Sequence, residues 1–355
     1  MNINLIQFIA ILLLSVSTTS AQHIKTFQPW ERFEYDTIQY MVKDPVFEES
    51  FNELTKMFAG KIPYNLKRAE FLVENAYHGG TMNYINFSHN IDHIVSMLNN
   101  FIDENGIRRY KTAPNYAIFN FFTEPSAMNG YSKFLYDFDN SFGEKDFNIF
   151  FTSYLLKTHK GQCTSMPLLY KILCDELGGQ SALAFAPSHL YIKHIGEDGR
   201  WVNLELTYGG FARDIWIIES MKESTEAIRS GIYMRAISEK ETIGFMMMQL
   251  ARAYQNKYKS YDYFVERAVE TVLKDLPDFV DACVMKFNLY RERGINFLNK
   301  YGDIDTPFIN RTYKTFKENS DKLYRLGFSE PTPEEYRAKI EEGRLWLKEQ
   351  QKEQQ

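Results

Sequence analysis

The sequence predicts an α+β protein, a helix packed on a small antiparallel sheet with helical regions on either side. Three observations carry this. Residues 165–177 hold an apolar stripe at helical spacing, closed by Gly178-Gly179. Residues 182–207 hold an apolar run, then two segments that alternate polar and apolar around a turn. Both flanks return to helical spacing.

The elements follow in chain order. Residues 5–16 are apolar and of signal-peptide length, and Ser17-Thr18-Thr19-Ser20-Ala21-Gln22 supplies small residues suited to cleavage after Ala21. The mature protein is therefore expected to be exported, periplasmic or extracellular. No later segment reaches membrane-spanning length without charges. Residues 22–145 form a mainly helical region, with apolar spacing over 66–77 and 91–107, broken by Gly79-Gly80 and Gly106. The α+β core is expected over 146–220 and a helical region over 221–355.

Chemistry concentrates in the core. Gly161-Gln162-Cys163-Thr164-Ser165 opens the helix carrying Met166, Leu169, Tyr170, Leu173 and Leu177. Thr164 and Ser165 are expected to cap it, and Pro167 is tolerated in a first turn. Unpaired N–H groups and the helix dipole at that end favour a thiolate at Cys163. A cysteine in such a place is by itself more often a small buried residue. Cys174, mid-helix among apolar residues, is read as core.

The strands add the partners. His189, Tyr191 and Lys193 share one face of the first alternating strand. Trp201, Asn203, Glu205 and Thr207 share one face of the second, past a turn at Gly196-Glu197-Asp198-Gly199. The hairpin can bring His189 to Glu205 or Asn203 only if paired numbers sum to an even value. A two-residue Asp198-Gly199 turn would put Val202 and Leu204 on the histidine's face. A three- or five-residue loop, or a bulge, is therefore expected, with Glu205 near-opposite Tyr191 and diagonal to His189.

Cysteine at a helix start, histidine on a strand and a polar orienter on the next strand form a nucleophile constellation. In this order, with Trp201 ahead of Glu205 and Thr207, the pattern resembles the transglutaminase-like superfamily and its papain-like Cys-His-Asp core. The resemblance implies Cys163 as nucleophile and His189 as base. Glu205 stands where that family usually has Asp; Asn203 is the second choice of orienter. A narrower resemblance rests on residues 136–141, 155–161 and 168–170 and on Pro187-Ser188-His189. It is to bacterial transglutaminase-like proteins that end in tetratricopeptide repeats, many of which lack the cysteine.

Composition excludes other classes. The chain is 44% hydrophobic and 25% charged with net charge −5, and no basic stripe offers a nucleic-acid surface. Most of the 23 Tyr and 28 Phe are expected in core and domain contacts. His89 and His93, four apart, lack a third ligand and a His-Glu-x-x-His signature, so neither metal nor cofactor is expected. His159 lies too near Cys163 in sequence to oppose it and is read as structural. The three cysteines, Cys163, Cys174 and Cys283, show no disulfide spacing.

Beyond Arg213, Leu250-Ala251, Tyr254, Ala268-Val269 and residues 272–277 resemble a tetratricopeptide unit. Residues 282–290 begin a degenerate second one. Its expected role is support, with peptide binding as the alternative. Thr332-Pro333-Glu334-Glu335 is predicted to cap a last helix. The reading is an exported cysteine enzyme acting on an amide or peptide bond, by hydrolysis or acyl transfer. Cys163 N–H, and Gln162 as a second candidate, would stabilise the oxyanion. Its substrate would be a peptide or protein. The alternative is a catalytically silent binding module that uses its helical repeats for a protein or peptide partner.

Overall fold

The computed structural model describes residues 44–302 and 306–353. It is α+β, mostly helical with small sheets. The leader expected over residues 1–21, with cleavage after Ala21, lies outside the described residues. No helix among the described residues is long and apolar enough to cross a membrane.

The chain opens with α1 (Pro45–Phe58), α2 (Leu66–Tyr77), α3 (Tyr84–Glu104) and α4 (Ala113–Thr123). Short β1 (Leu135–Tyr136) and β2 (Lys160–Gly161) flank α5 (Thr152–Thr158). Then α6 (Ser165–Glu176) precedes β3 (Ser181–Ala186), β4 (His189–Ile195), β5 (Trp201–Glu205) and β6 (Gly210–Ala212). Next come α7 (Asp214–Met221), α8 (Thr225–Ser230) and α9 (Glu239–Tyr258). The last helices are α10 (Tyr263–Asp275), α11 (Val280–Tyr301), α12 (Pro307–Arg325) and α13 (Pro333–Glu353). α2 spans the stretch expected from its apolar spacing. α3 starts earlier than expected, because Asn83 caps it by accepting from the Asn86 N–H at 3.1 Å.

Contacts divide the chain into two compact units, and the division is not linear in sequence. One takes its described residues from 1–64, 75–80 and 243–328; the other from 65–74, 81–242 and 329–355. The expected blocks 22–145, 146–220 and 221–355 therefore do not coincide with the compact units. The reason is that residues 65–74 and the last helix belong to the same compact unit as the sheet.

The first unit is helical and aromatic. Tyr254 stacks on Phe264 with ring centres 4.4 Å apart, and Phe47 meets both rings edge-on. The Tyr254 hydroxyl donates to Asp262 at 2.7 Å, and Asp262 also caps α10 through the Phe264 N–H. Leu250, Ala251, Ala268 and Val269, the marks of the expected repeat, are fully buried. α11 and α12 pack together, with Phe287 against Phe316 and the Asn319 amide donating to the Cys283 carbonyl at 2.6 Å.

The second unit is built on the antiparallel sheet β3-β4-β5-β6. Ala186 pairs with His189 across a tight turn at Pro187-Ser188, where Ser188 takes φ 53°. Ala184, Ala186 and Tyr191 pack with Ile217 of α7. α6 packs on β3 and β4, where Leu183, Leu190 and Ile192 are buried. It ends as expected: Gly178 adopts φ 69° and the Gly179 N–H bonds back to the Cys174 carbonyl.

A buried carboxyl pair anchors α5, the helix that leads to the candidate nucleophile. Glu70 and Glu74, one turn apart on α2, are 1% and 0% exposed. Glu74 accepts from the Thr152 hydroxyl at 2.9 Å, the Ser153 N–H at 3.1 Å and the Ser153 hydroxyl. Glu70 accepts from the Thr152 N–H at 3.1 Å. The two carboxyls also interact with each other. Burial, then the Glu74 charge, holds the Glu70 carboxyl well above the usual carboxylate range. Its retained proton can bridge the pair. Glu74→Ala orphans buried donors, each costing about 1–3 kcal/mol, so a loss of roughly 3 kcal/mol is expected in denaturant unfolding. A change below about 0.5 kcal/mol, the range of ordinary surface substitutions, would contradict this anchor.

Candidate active site

Backbone constraints place Cys163. Gly161 pairs with Tyr136 across the parallel bridge of β1 and β2, and the Asp137 N–H donates to the Gly161 carbonyl at 2.8 Å. A Cβ on Gly161 would come within 2.7 Å of Leu155 and 2.8 Å of the Ser165 hydroxyl, so this position needs glycine. The expected side-chain cap by Thr164 or Ser165 is replaced by another arrangement. The Gln162 side-chain oxygen accepts the Thr164 N–H at 2.8 Å. Ser165 accepts the Gln162 N–H at 3.1 Å and donates to the Ile149 carbonyl at 2.8 Å. Cys163 is left half-buried just before α6, and no acceptor among the described residues takes its N–H.

The hairpin has the register the site requires. Ile192 faces Leu204, Lys193 faces Asn203 and Ile195 faces Trp201, leaving the five residues 196–200 as a loop. Carried one step further, this register sets Glu205 across from Tyr191 and diagonal to His189. His189 Nε2 lies 2.5 Å from Glu205 Oε2, and the Cys163 sulfur is close enough to the same ring to raise its pKa. With Nε2 committed to Glu205, Nδ1 is the nitrogen left for sulfur. Glu205 is also fixed by the Thr207 N–H, which donates to Oε1 at 2.9 Å.

Charge follows geometry. Burial alone pushes the His189 pKa down, but the Glu205 charge and the bonds to Cys163 and Glu205 outweigh it and raise it to about 10. Burial likewise pushes Glu205 up, yet His189 and the Thr207 N–H hold it below its ordinary value.

Other candidates fall elsewhere. Asn203 does not reach His189. Its amide donates to the Ala212 carbonyl at 3.1 Å and to Asp214 Oδ1 at 2.6 Å. Strand geometry places it two residues, about 7 Å, along β5 from Glu205. Its partners are Ala212 of β6 and Asp214 at the start of α7. The Gln162 side-chain oxygen holds the helix start, while the NH2 of the same amide is its donor group. His159 ends α5 at φ 55° with its ring 4.5 Å from Phe134, a structural place. His89 and His93 are exposed, and no metal-binding group occurs among the described residues. The three cysteines are free, and burial raises Cys174 and Cys283 to about 11.

Two tyrosines at the site were not anticipated. Tyr136, on β1, and Tyr336, on α13, lie close enough to interact with each other and with Cys163. Burial, then the Cys163 charge, raises both phenols above their ordinary value. Beside His189 they line a cavity of only about 70 Å³, closed further by Tyr208, Met221 and Ile340. A wider cleft of about 340 Å³ adjoins it through Tyr136, Thr207 and Tyr208, lined by Phe134, Met166 and Leu206. The residue types gave a signal only for aromatics in general; the tyrosine on α13 comes from the far end of the chain.

Comparison with known protein families, with curated proteins and with solved structures finds no match.

The geometry separates the two orienters. Glu205→Gln is expected to slow alkylation of Cys163 by iodoacetamide about tenfold or more, and Asn203→Ala by less than about threefold. The reverse ranking, read by mass spectrometry of the Cys163 peptide, would contradict the Glu205 assignment.

Stability should follow the same pair. His189, shifted up from 6.5 to about 10, contributes fully below pH 6.5 and loses its share as pH rises towards 10. Glu205, shifted down from 4.5, contributes above that value and loses its share in acid. The pair thus stabilises most between pH 4.5 and 6.5. The difference in Tm between the wild type and His189→Gln is expected to shrink between pH 6.5 and 10. Parallel Tm curves over that range would contradict the pairing.

Proposed function

We propose that this chain is an exported transglutaminase-like cysteine enzyme acting on an amide or peptide bond. The observation that carries the reading is the single imidazole of His189, bonded to Glu205 and close enough to Cys163 for the two to interact. α6 against β3 and β4 is read as its papain-like core, and α9 and α10 as a tetratricopeptide-like support.

The steps use this chain's own groups. His189 starts as the imidazolium facing the sulfur, and Cys163 bonds to the substrate carbonyl carbon as the thiolate partner of that ring. The carbonyl oxygen takes the negative charge and meets the uncommitted Cys163 N–H. The C–N bond then breaks, and His189 gives its proton to the leaving amine. A thioester remains. Water or a second amine attacks it, passing a proton to the now neutral His189, and the C–S bond breaks as the thiolate–imidazolium pair is restored. Glu205 holds the ring in one tautomer and stabilises the imidazolium throughout. Hydrolysis and acyl transfer share these steps. A peptide or protein substrate fits the aromatic-lined cleft beside the site.

The competing reading, a silent binding module, is favoured by the small closed space beside His189. Thiol reactivity separates the two. In the enzyme, iodoacetamide at neutral pH labels Cys163 selectively, and His189→Gln lowers the rate by about a hundredfold, the scale of general-base catalysis. Equal rates in wild type and His189→Gln would leave the binding module.

A further inference from the structure

The last helix lies over the candidate site. α13 begins with a reciprocal cap, as its sequence predicts: Thr332 N–H donates to Glu335 at 2.8 Å and Glu335 N–H donates to Thr332 at 3.2 Å. One turn apart, Tyr336 and Ile340 enter the cavity beside His189. The Tyr336 ring rests on Phe142 at 4.6 Å, and Tyr336 interacts with Tyr136 and Cys163. Further along, Gly343 lets the helix seat on Phe138, where a Cβ would come within 2.1 Å of the ring.

Magnitude decides what this means. The space left beside His189, about 70 Å³, is the share of roughly two waters in the liquid. Ligand pockets measure about 300–1,000 Å³. A peptide cannot pass under Tyr336 and present a carbonyl to sulfur while the helix sits there. Among the described residues, the outer ties of the helix are polar. Its polar ties run from Lys222 to Glu335 at 2.5 Å, and from Arg344 to Asp139 at 2.9 Å and to the Phe138 carbonyl at 3.0 Å. Lys222 and Asp139 are largely solvent-exposed at these ties, so salt weakens them. The rest of α13 is dominated by Glu, Lys, Arg and Gln.

We propose that α13 is a releasable cover over Cys163 and His189, which must lift before a peptide or protein substrate reaches the sulfur. The proposal rests on the catalytic reading of that site. With α13 in place, the neighbouring cleft lined by Phe134, Met166 and Leu206 stays open, so a substrate side chain can dock there first. The Tyr336 hydroxyl then occupies ground that the substrate backbone takes when the helix leaves.

The test uses the full chain and two alkylating reagents, iodoacetamide and a maleimide on a 5-kDa polyethylene glycol (about the bulk of a small peptide domain). Rates are read at the Cys163 peptide by mass spectrometry, and hydrogen exchange over residues 333–344 reports release of the helix. Arg344→Glu breaks a surface tie, and Ile340→Asp places a charge under the helix. Both are expected to raise exchange and to speed the bulky reagent about tenfold, with iodoacetamide changed less than about threefold. Added salt should act in the same direction on the wild type. Raised exchange with an unchanged bulky-reagent rate would overturn the proposal. So would unchanged exchange in both variants, which would make α13 a fixed wall. If the bulky reagent responds as expected but Cys163 reacts with iodoacetamide no faster than free cysteine, the cover stands and the catalytic reading fails.

Discussion

The register between β4 and β5 is the constraint on which the candidate site rests. Side chains in a ladder alternate faces, so a slip of one residue would turn Glu205 away from His189 and bring Leu204 in its place. The five-residue loop 196–200 prevents that slip. The Gly196 N–H bonds the Arg200 carbonyl at 2.8 Å, and Gly199 takes φ 79°. Asp198 completes the turn by accepting the Arg200 N–H at 3.0 Å. A solvent-facing turn thus sets the geometry of a buried ion pair several residues away. Three further elements converge on it. The β1–β2 bridge delivers Gly161 and Cys163, the Glu70–Glu74 pair fixes the helix before them, and α13 closes the top.

Burial and charge work against each other at this point, and the pair of charges wins. An isolated imidazolium or carboxylate at these positions would be driven neutral. Together, with the Thr207 N–H on Glu205 and the thiol on His189, each keeps the other charged. Such a pair is costly to break from one side, because the survivor stays buried and unpaired. The same reasoning separates Cys163 from Cys174 and Cys283. At the latter two, nearby lysines do not offset burial, and both thiols are raised.

Much of this was legible in residues 161–207. A glycine-bounded helix start singled out Cys163, strand alternation put His189 and Glu205 on one face, and the parity of the pairing forced an odd loop. Gly178-Gly179 and Thr332 with Glu335 marked helix ends by local chemistry alone. What the sequence reading missed depends on long-range packing. β1 is two residues long and pairs in parallel, so it leaves no periodic signal, yet it brings Tyr136 to the sulfur. β6 is three residues long, and it is what draws Asn203 away from His189. Tyr336 belongs to a charged helix far along the chain, with no local reason to be placed at the site. The carboxyl pair on α2 looked like an ordinary polar helix face, because its partners, Thr152 and Ser153, lie in another element.

The central claim is that one imidazole connects Cys163 and Glu205, and the His189 ring itself reports it. Its nitrogens can be followed by NMR in the full chain labelled with ¹⁵N-histidine and assigned by His189→Gln. The account expects the ring to stay protonated well above pH 6.5, titrating near 10, and to shift downward once Cys163 is alkylated or Glu205 is replaced by Gln. A His189 ring that titrates near 6.5, unmoved by either change, would contradict it.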